Sequence, residues 1–165
     1  MDERPKLKIQ LTTSDKVLEM IGWTSMLAIW VLIITSYSTF PAIIPTHYNG
    51  AGIADGFGGK GSILALPIIA TILFIGMTIL SKFPHTFNYP TDVTANNALK
   101  LYTNATKMIR ILKLVIVVIF ALIILQTIRN VKGEVNGLGV WFLPLTLALI
   151  FIPIILSFLP PPSVR

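Results

Sequence analysis

The hydrophobic positions of this chain fall into long uninterrupted runs. Four runs are present, at residues 17–37, 62–81, 109–128 and 138–159. Each has about 20 residues, which as a helix cross the roughly 30 Å hydrocarbon core of a bilayer. In lipid such runs must be helical, because an isolated strand would leave its backbone groups unpaired. The pattern predicts an all-α fold, a polytopic membrane protein with a bundle of four transmembrane helices.

The predicted organisation is a single four-span membrane domain at 17–159, between a cytoplasmic tail at 1–16 and a second cytoplasmic tail at 160–165. A cleaved signal peptide is the alternative for the first run. That run is longer than the roughly 7–15 apolar residues of a signal peptide, and acidic residues dilute the basic stretch before it. We therefore expect it to be a true span.

Composition supports a bilayer environment. Hydrophobic residues make up 54% of the 165 residues and charged residues only 12%, whereas soluble domains have about 25% charged residues. This excludes a disordered chain and argues against a soluble globule. The absence of cysteine excludes disulfides, thiolate catalysis and Cys-ligated metal sites.

Lysine and arginine in the loops predict the orientation. Ten of the 13 lie in the N-terminal tail, in or beside the 82–107 loop, or at the C-terminus. We expect a multi-pass cell-membrane protein with both termini in the cytoplasm and the loops 38–61 and 129–137 outside. The expected partner is the lipid bilayer. Nucleic acid is not expected, because no basic cluster is interleaved with exposed aromatic residues.

The central parts of the predicted spans contain no ionisable side chain, which argues against an ion transporter working alone. Their Thr and Ser residues are typical of helix–helix packing. Pro67, Pro144 and Pro153 are expected to bend the second and fourth helices.

The loop after the first span is rich in turn residues. Residues 41–67 hold six of the 11 glycines, and Asn49-Gly50 and Asp55-Gly56 are turn dipeptides. The same stretch has apolar residues that a floppy polar linker would lack. It predicts a structured Gly/Pro-rich extracytoplasmic loop, folded back onto the outer ends of the helices.

Two interpretations of the polar side chains in this loop stay open. In the first, His47 and Asp55 bind a ligand or metal and Lys60 pairs with an anionic group. In the second, Asp55 and Asn49 bond their own turns, His47 bonds a backbone carbonyl, and Lys60 marks the membrane interface. We expect no metal, because zinc needs three or four ligands and the loop offers little beyond His47 and Asp55.

The loop after the second span predicts a helix that begins near residue 93, capped by Thr91 or Asp92, and runs into the third span. Its basic residues wind around the helix, as expected for a segment that crosses the inner headgroup layer. These residues are Lys100, Lys107, Arg110 and Lys113.

Residues 41–60, PAIIPTHYNGAGIADGFGGK, followed by Leu66-Pro67, resemble a family of small bacterial and archaeal membrane proteins, the domain of unknown function 1648 family. A copy of this domain forms the N-terminal part of SdpI-type immunity proteins. The resemblance extends to the cytoplasmic segment Phe87-Asn88-Tyr89-Pro90 and its continuation. It implies outer site residues Pro45, His47, Asn49, Gly52, Asp55, Gly58 and Lys60. It implies a cytoplasmic motif of Asn88, Tyr89, Pro90, Asn96 and Tyr102.

These observations predict a non-enzymatic immunity or sensing module that recognises an extracellular peptide or other ligand through the 41–60 loop. The expected partner is a peptide toxin or a membrane protein, and no cofactor is expected. The alternative is an accessory subunit of a membrane transport complex. A membrane-embedded enzyme is a weaker alternative, because His47, Asp55 and Tyr48 alone cluster as chemical groups.

Overall fold

The computed structural model describes residues 4–158. Four helices and one β-hairpin make up its architecture. In chain order these are α1 (Thr13–Ser36), β1 (Ile43–Tyr48), β2 (Ala54–Gly59), α2 (Ala65–Leu80), α3 (Ala98–Val131) and α4 (Phe142–Phe158). A 3₁₀ turn at Lys60–Leu64 joins the hairpin to α2.

Three helical segments are long and apolar enough to cross a membrane: Thr13–Thr39, Lys60–Leu80 and Ala98–Val131. They contain the first three predicted spans, except that the second ends one residue earlier than predicted, at Leu80. This confirms those predictions at the level of length and composition. The apolar helix at Phe142–Ser157 is shorter. The fourth span therefore stays a prediction. Residue 159, where that span was expected to end, lies outside the described residues, as does the tail at 160–165.

Helix α3 is the central element, since it packs against α1, α2 and α4. Large apolar side chains on the outer faces of α1, α2 and α4 stay exposed, as lipid-facing side chains do. The core between α1, α2, α3 and the hairpin is built from Met26, Ile29, Ile33, Phe40, Ile44, Ile63, Ala70, Phe74, Val117, Ile124 and Ile128.

Helices α1 and α2 contact each other through a small residue and a polar bond. A Cβ atom on Gly22 would meet the Phe74 ring at 2.8 Å, so glycine allows this close packing. Farther along, Trp30 Nε1 donates a hydrogen bond to Thr71 Oγ1 at 3.1 Å. Small residues and polar bonds of this kind are the usual means of helix association in lipid, where apolar surfaces alone give little drive.

A buried ion pair connects three helices. Lys113 Nζ on α3 donates to both carboxylate oxygens of Glu19 on α1, at 2.8 and 2.7 Å. The same group donates to Thr78 Oγ1 on α2 at 2.9 Å and lies 4.5 Å from the centre of the Phe74 ring. Its three N–H donors therefore have partners although the Lys113 side chain is only 1% exposed.

Arg110 extends this cluster toward the start of α1. Its guanidinium lies 3.5 Å from carboxylate oxygens of both Asp15 and Glu19. Arg110 and Lys113 therefore face the interior of the bundle. The expectation that the cations of this segment wind around the helix as it crosses the headgroup layer is wrong for these two, because buried Asp15 and half-buried Glu19 on α1 attract them into the bundle.

Side-chain contacts define the two ends of the bundle. Arg4 donates to the carbonyl oxygens of His85 and Phe87, at 3.3 and 2.6 Å, so the N-terminal tail and the α2–α3 connection share one end. The hairpin contacts the α3–α4 connection at the opposite end. We call these the Arg4 end and the hairpin end. Which of them faces the cytoplasm stays a prediction.

Local structure differs from expectation at three places. The loop after α1 contains a two-stranded antiparallel sheet, which the glycine pattern did not predict. Helix α3 begins at Ala98, because Asn97 bonds the Thr94 N–H and the Asp92 carbonyl oxygen and holds these residues in a turn. Pro67 and Pro144 lie in the first turns of α2 and α4, where the missing N–H breaks no helical bond, so no bend is required there.

Replacing Lys113 by methionine is expected to destabilise the protein. The change leaves Glu19 without its cation, and breaking a buried ion pair costs roughly 3–5 kcal/mol. The loss should fall at the low end, because the Glu19 side chain is 20% exposed. Thermal unfolding in mild detergent measures it. Lys16→Met, at an exposed position of α1, is the control, and Glu19→Gln with Lys113→Met should recover part of the loss. Equal melting temperatures for Lys113→Met and Lys16→Met would contradict this assignment.

Candidate functional site

The hairpin carries most of the predicted outer residues. Strands β1 and β2 pair antiparallel with Ile43 opposite Gly59 and Tyr48 opposite Ala54. The register is interrupted on both sides of His47, which lies opposite Gly56. Such bulges re-aim a side chain.

Asn49 and Gly52 build the tip of the hairpin. Asn49 Oδ1 accepts hydrogen bonds from the N–H groups of Ala51 and Ile53, at 3.0 and 3.1 Å. Gly52 has φ +77°, a left-handed conformation that favours glycine. The interpretation that Asn49 bonds its own turn is thereby confirmed.

Gly52 also attaches the tip to the connection between α3 and α4. Its carbonyl oxygen accepts from the N–H of Leu138 at 2.7 Å. A Cβ on Gly52 would lie 2.5 Å from the Gly139 carbonyl oxygen, and a Cβ on Gly137 would collide with the Gly52 carbonyl oxygen. Backbone therefore packs directly on backbone, which only glycine permits here.

A tyrosine joins the hairpin to α3. The hydroxyl groups of Tyr48 and Thr127 lie 3.0 Å apart and share a hydrogen bond. Burial raises the pKa of Tyr48 above its ordinary value, and the Thr127 hydroxyl partly lowers it. The hairpin is thus held both at its tip and along β1.

His47 and Asp55 form an exposed pair on the hairpin. His47 Nδ1 and Asp55 Oδ1 are 2.5 Å apart, and the two side chains are 73% and 44% exposed. The structure therefore joins two residues predicted to act together. An exposed pair of this kind contributes only about 0–1 kcal/mol to stability. Its main effect is to orient the imidazole ring, whose Nε2 remains for another partner.

A groove of about 430 Å³ lies between β1, the start of α2 and the end of α3. We call it the hairpin groove. His47, Thr46 and Tyr48 line one wall, and the opposite walls are mainly apolar. The apolar lining consists of Pro45, Ile63, Ala65, Leu66, Ile123 and Leu138, with Ser62 and Thr127 adding hydroxyl groups.

The remaining outer residues hold the base of the hairpin. Lys60 donates its backbone N–H to the Ala42 carbonyl oxygen at 3.0 Å, and its ammonium lies 5.1 Å from the centre of the Tyr37 ring. Gly58 leaves room for Thr46, which a Cβ would approach to 3.1 Å. Lys60 is therefore separate from the His47–Asp55 pair and attaches the hairpin to the end of α1.

The second predicted motif lies at the Arg4 end. Tyr89 donates to the Pro84 carbonyl oxygen at 2.9 Å and packs on buried Tyr102, with ring centres 5.6 Å apart. Arg4 lies 5.9 Å above the Tyr89 ring. Asn88, Pro90 and Asn96 are exposed. Tyr89 and Tyr102 are thus packing residues that cover the start of α3.

The sequence did not predict the residues that complete the hairpin groove at one end of the bundle and the ion pair toward the other end. Thr127, Ile123 and Leu138 come from distant parts of the chain, and only folding brings them to the hairpin. For Glu19 and Lys113 a signal existed. Each is a charge at the edge of an apolar run, on the same predicted side, and of opposite sign.

The described architecture is that of a helical integral membrane protein with a β-hairpin between its first two long helices. The sequence model of the family described as "Domain of unknown function (DUF1648)" matches residues 25–71. The chain is also similar to an uncharacterized protein of Archaeoglobus fulgidus. The two are 28% identical over 88 residues, which make up 48% of this chain and 48% of that protein. No solved structure matches the chain.

The family match confirms the resemblance drawn from the 41–60 motif. The matched residues run from within α1 through the hairpin to the beginning of α2, and they contain all seven predicted outer residues. The second motif, from Asn88 to Tyr102, lies outside the matched range. Immunity and likeness to SdpI-type proteins therefore stay predictions.

Gly52→Ala is expected to release the hairpin tip. A left-handed alanine costs about 1–2 kcal/mol, and its Cβ would clash with the Gly139 backbone. Hydrogen exchange of the Leu138 amide, which bonds the Gly52 carbonyl oxygen, should become faster. Gly50→Ala is the control, since a Cβ there meets nothing within 4 Å. Unchanged exchange in Gly52→Ala would show that the tip is not held in this way.

Stability is expected to fall between about pH 10 and about pH 12 in part because of Tyr89. Burial raises the pKa of Tyr89 to about 12, with Tyr102 adding to the rise and Arg4 opposing it, whereas an unfolded tyrosine titrates near about 10. The folded state therefore holds this proton more tightly. Its contribution is complete below about pH 10 and is lost as the pH rises to about 12.

Thermal unfolding across this pH range measures the effect. The comparison is with Tyr89→Phe, which lacks only this hydroxyl group, and its melting temperature should fall less steeply with pH than that of the wild type. Parallel curves would contradict the assignment.

Proposed function

We propose that this protein is a non-enzymatic membrane module that binds an apolar peptide in the hairpin groove, on the side that we expect to be extracytoplasmic. The observation that carries the proposal is the groove itself. Its volume of about 430 Å³ lies within the roughly 300–1,000 Å³ typical of ligand sites. Its mainly apolar walls with a few hydroxyl groups also match such sites.

The hairpin favours an extended peptide as the ligand. In a two-stranded sheet each strand has one edge without a strand neighbour. Such an edge can pair with an added strand, and adjacent pockets then receive alternate side chains of the peptide. Residues of β1 line the hairpin groove, so one apolar side chain of a peptide beside β1 could enter it.

His47 provides a polar contact at the wall of the groove. Its Nδ1 is occupied by Asp55, so Nε2 is the nitrogen that meets a ligand. Asp55 would act by orienting the ring. The His47–Asp55 pair has no proton-transfer role in this function. The biological role of peptide binding by this module is immunity against a peptide toxin or sensing of a secreted peptide.

An accessory role in a transport complex is the second candidate. One observation favours it: no described side chain of α4 is buried, so this helix offers a broad apolar face to a membrane partner as well as to lipid. Cross-linking in membranes from the Phe151→Cys variant, at an exposed position of α4, would test it. A partner protein of constant size would support this role, and cross-links to lipid alone would exclude that face as an interface.

Filling the groove is expected to abolish the proposed function. A gene deletion should sensitise cells to apolar peptides from culture supernatant, and the wild-type gene should restore survival. Ile123→Trp, which occupies the groove, should leave survival at the level of the deletion strain. His47→Ala and Asp55→Ala should restore it only in part. Survival is compared at equal protein levels in the membrane.

Ile72→Trp is the matched control, because Ile72 is 64% exposed on α2 and does not line the groove. It should restore survival fully. A silent deletion would count against the peptide-binding role, and full rescue by Ile123→Trp would show that the groove is not the site.

A further inference from the structure

A second groove lies at the opposite end of the bundle, between the first half of α3 and the last turns of α4. Its volume is about 650 Å³. Five residues of α3 line it at helical spacing, and α4 provides the facing wall. The lining residues are Lys100, Asn104, Lys107, Met108 and Ile111 from α3, with Pro153, Leu156 and Ser157 from α4. We call it the α3–α4 groove.

The chemistry of this groove changes along its length. Lys100, Asn104 and Lys107 come first along α3, and Met108 and Ile111 follow toward the middle of the helix. The two lysines are seven positions apart, which at 1.5 Å per residue is about 10 Å along the axis. A polar, positively charged section thus passes directly into an apolar section whose other wall includes Leu156, 58% exposed.

The two lysines of the groove differ in exposure and pairing from Arg110 and Lys113, the next two cations of α3, because only Arg110 and Lys113 belong to the buried ion cluster. Arg110 and Lys113 are 5% and 1% exposed and are paired with Asp15 and Glu19. Lys100 and Lys107 are exposed, and no ion pair joins either of them to another residue between 4 and 158. The charge of Lys107 also acts on Asp15, but Asp15 is itself buried against Arg110.

We propose that the α3–α4 groove binds one anionic phospholipid from the leaflet at the Arg4 end. The phosphate lies between Lys100 and Lys107, within reach of the Asn104 amide, and an acyl chain runs along Met108, Ile111 and Leu156. Charge complementarity selects the lipid, because the groove offers two cations at its polar end. The apolar section selects a lipid over a free phosphate ion.

Native mass spectrometry in mild detergent tests this proposal, with phosphatidylglycerol and phosphatidylcholine of the same acyl chains as probes. The wild type should retain phosphatidylglycerol in preference. Lys100→Gln with Lys107→Gln should weaken phosphatidylglycerol binding by about fivefold for each lysine and leave phosphatidylcholine binding unchanged. Ile111→Trp, which fills the apolar section and keeps both charges, should weaken the binding of phosphatidylglycerol as well.

The matched control is Lys16→Gln with Lys82→Gln. Both lysines are exposed at the Arg4 end and neither lines the groove, so the control removes the same charge from the same leaflet side. It should retain the preference for phosphatidylglycerol. The proposal is overturned if the control loses as much binding as the groove variant, because attraction would then be general. Equal retention of both lipids by the wild type would overturn it too.

Discussion

The ammonium group of Lys113 has three hydrogen-bond donors, and the side chain is only 1% exposed, so each donor needs an acceptor within the protein. Glu19 on α1 and Thr78 on α2 supply these acceptors. Because both acceptors must reach one nitrogen atom, the ion pair sets how α1 and α2 lie along α3. Apolar packing alone gives little preference for one arrangement of helices in lipid, so the rest of the bundle depends on this polar contact.

The hairpin depends on the helices in turn. An isolated two-stranded hairpin is at best marginally stable, and this one is held by a backbone contact at Gly52, by Tyr48 against Thr127 and by Lys60 near Tyr37. These contacts lie at the tip, along β1 and at the base of the hairpin, and a space remains between β1 and the helices. The hairpin groove is that space, and the His47–Asp55 pair lies beside it as a consequence of the same attachment.

Much of the helical architecture could be predicted, because the length and apolar character of a span are properties of the local sequence. The start of α3 could not be predicted. The side chain of Asn97 bonds the backbone of Thr94 and Asp92 and holds the residues before Ala98 in a turn. The inward direction of Arg110 and Lys113 was also missed, because it depends on carboxylates more than 90 residues away along the chain. The sequence predicted that His47 and Asp55 lie close together. It did not predict the strand pairing that brings them together.

The sequence by itself determined a membrane protein with at least three long apolar helices and a shaped, glycine-rich segment after the first of them. Only the tertiary structure decided which charges are buried, which glycines carry backbone contacts and which walls enclose the two grooves. The physical reason is the distance along the chain over which each interaction acts. Hydrophobic length and turn preference act over a few residues, whereas the Glu19–Lys113 pair and the contact of Gly52 with Leu138 join residues that only the folded bundle brings together.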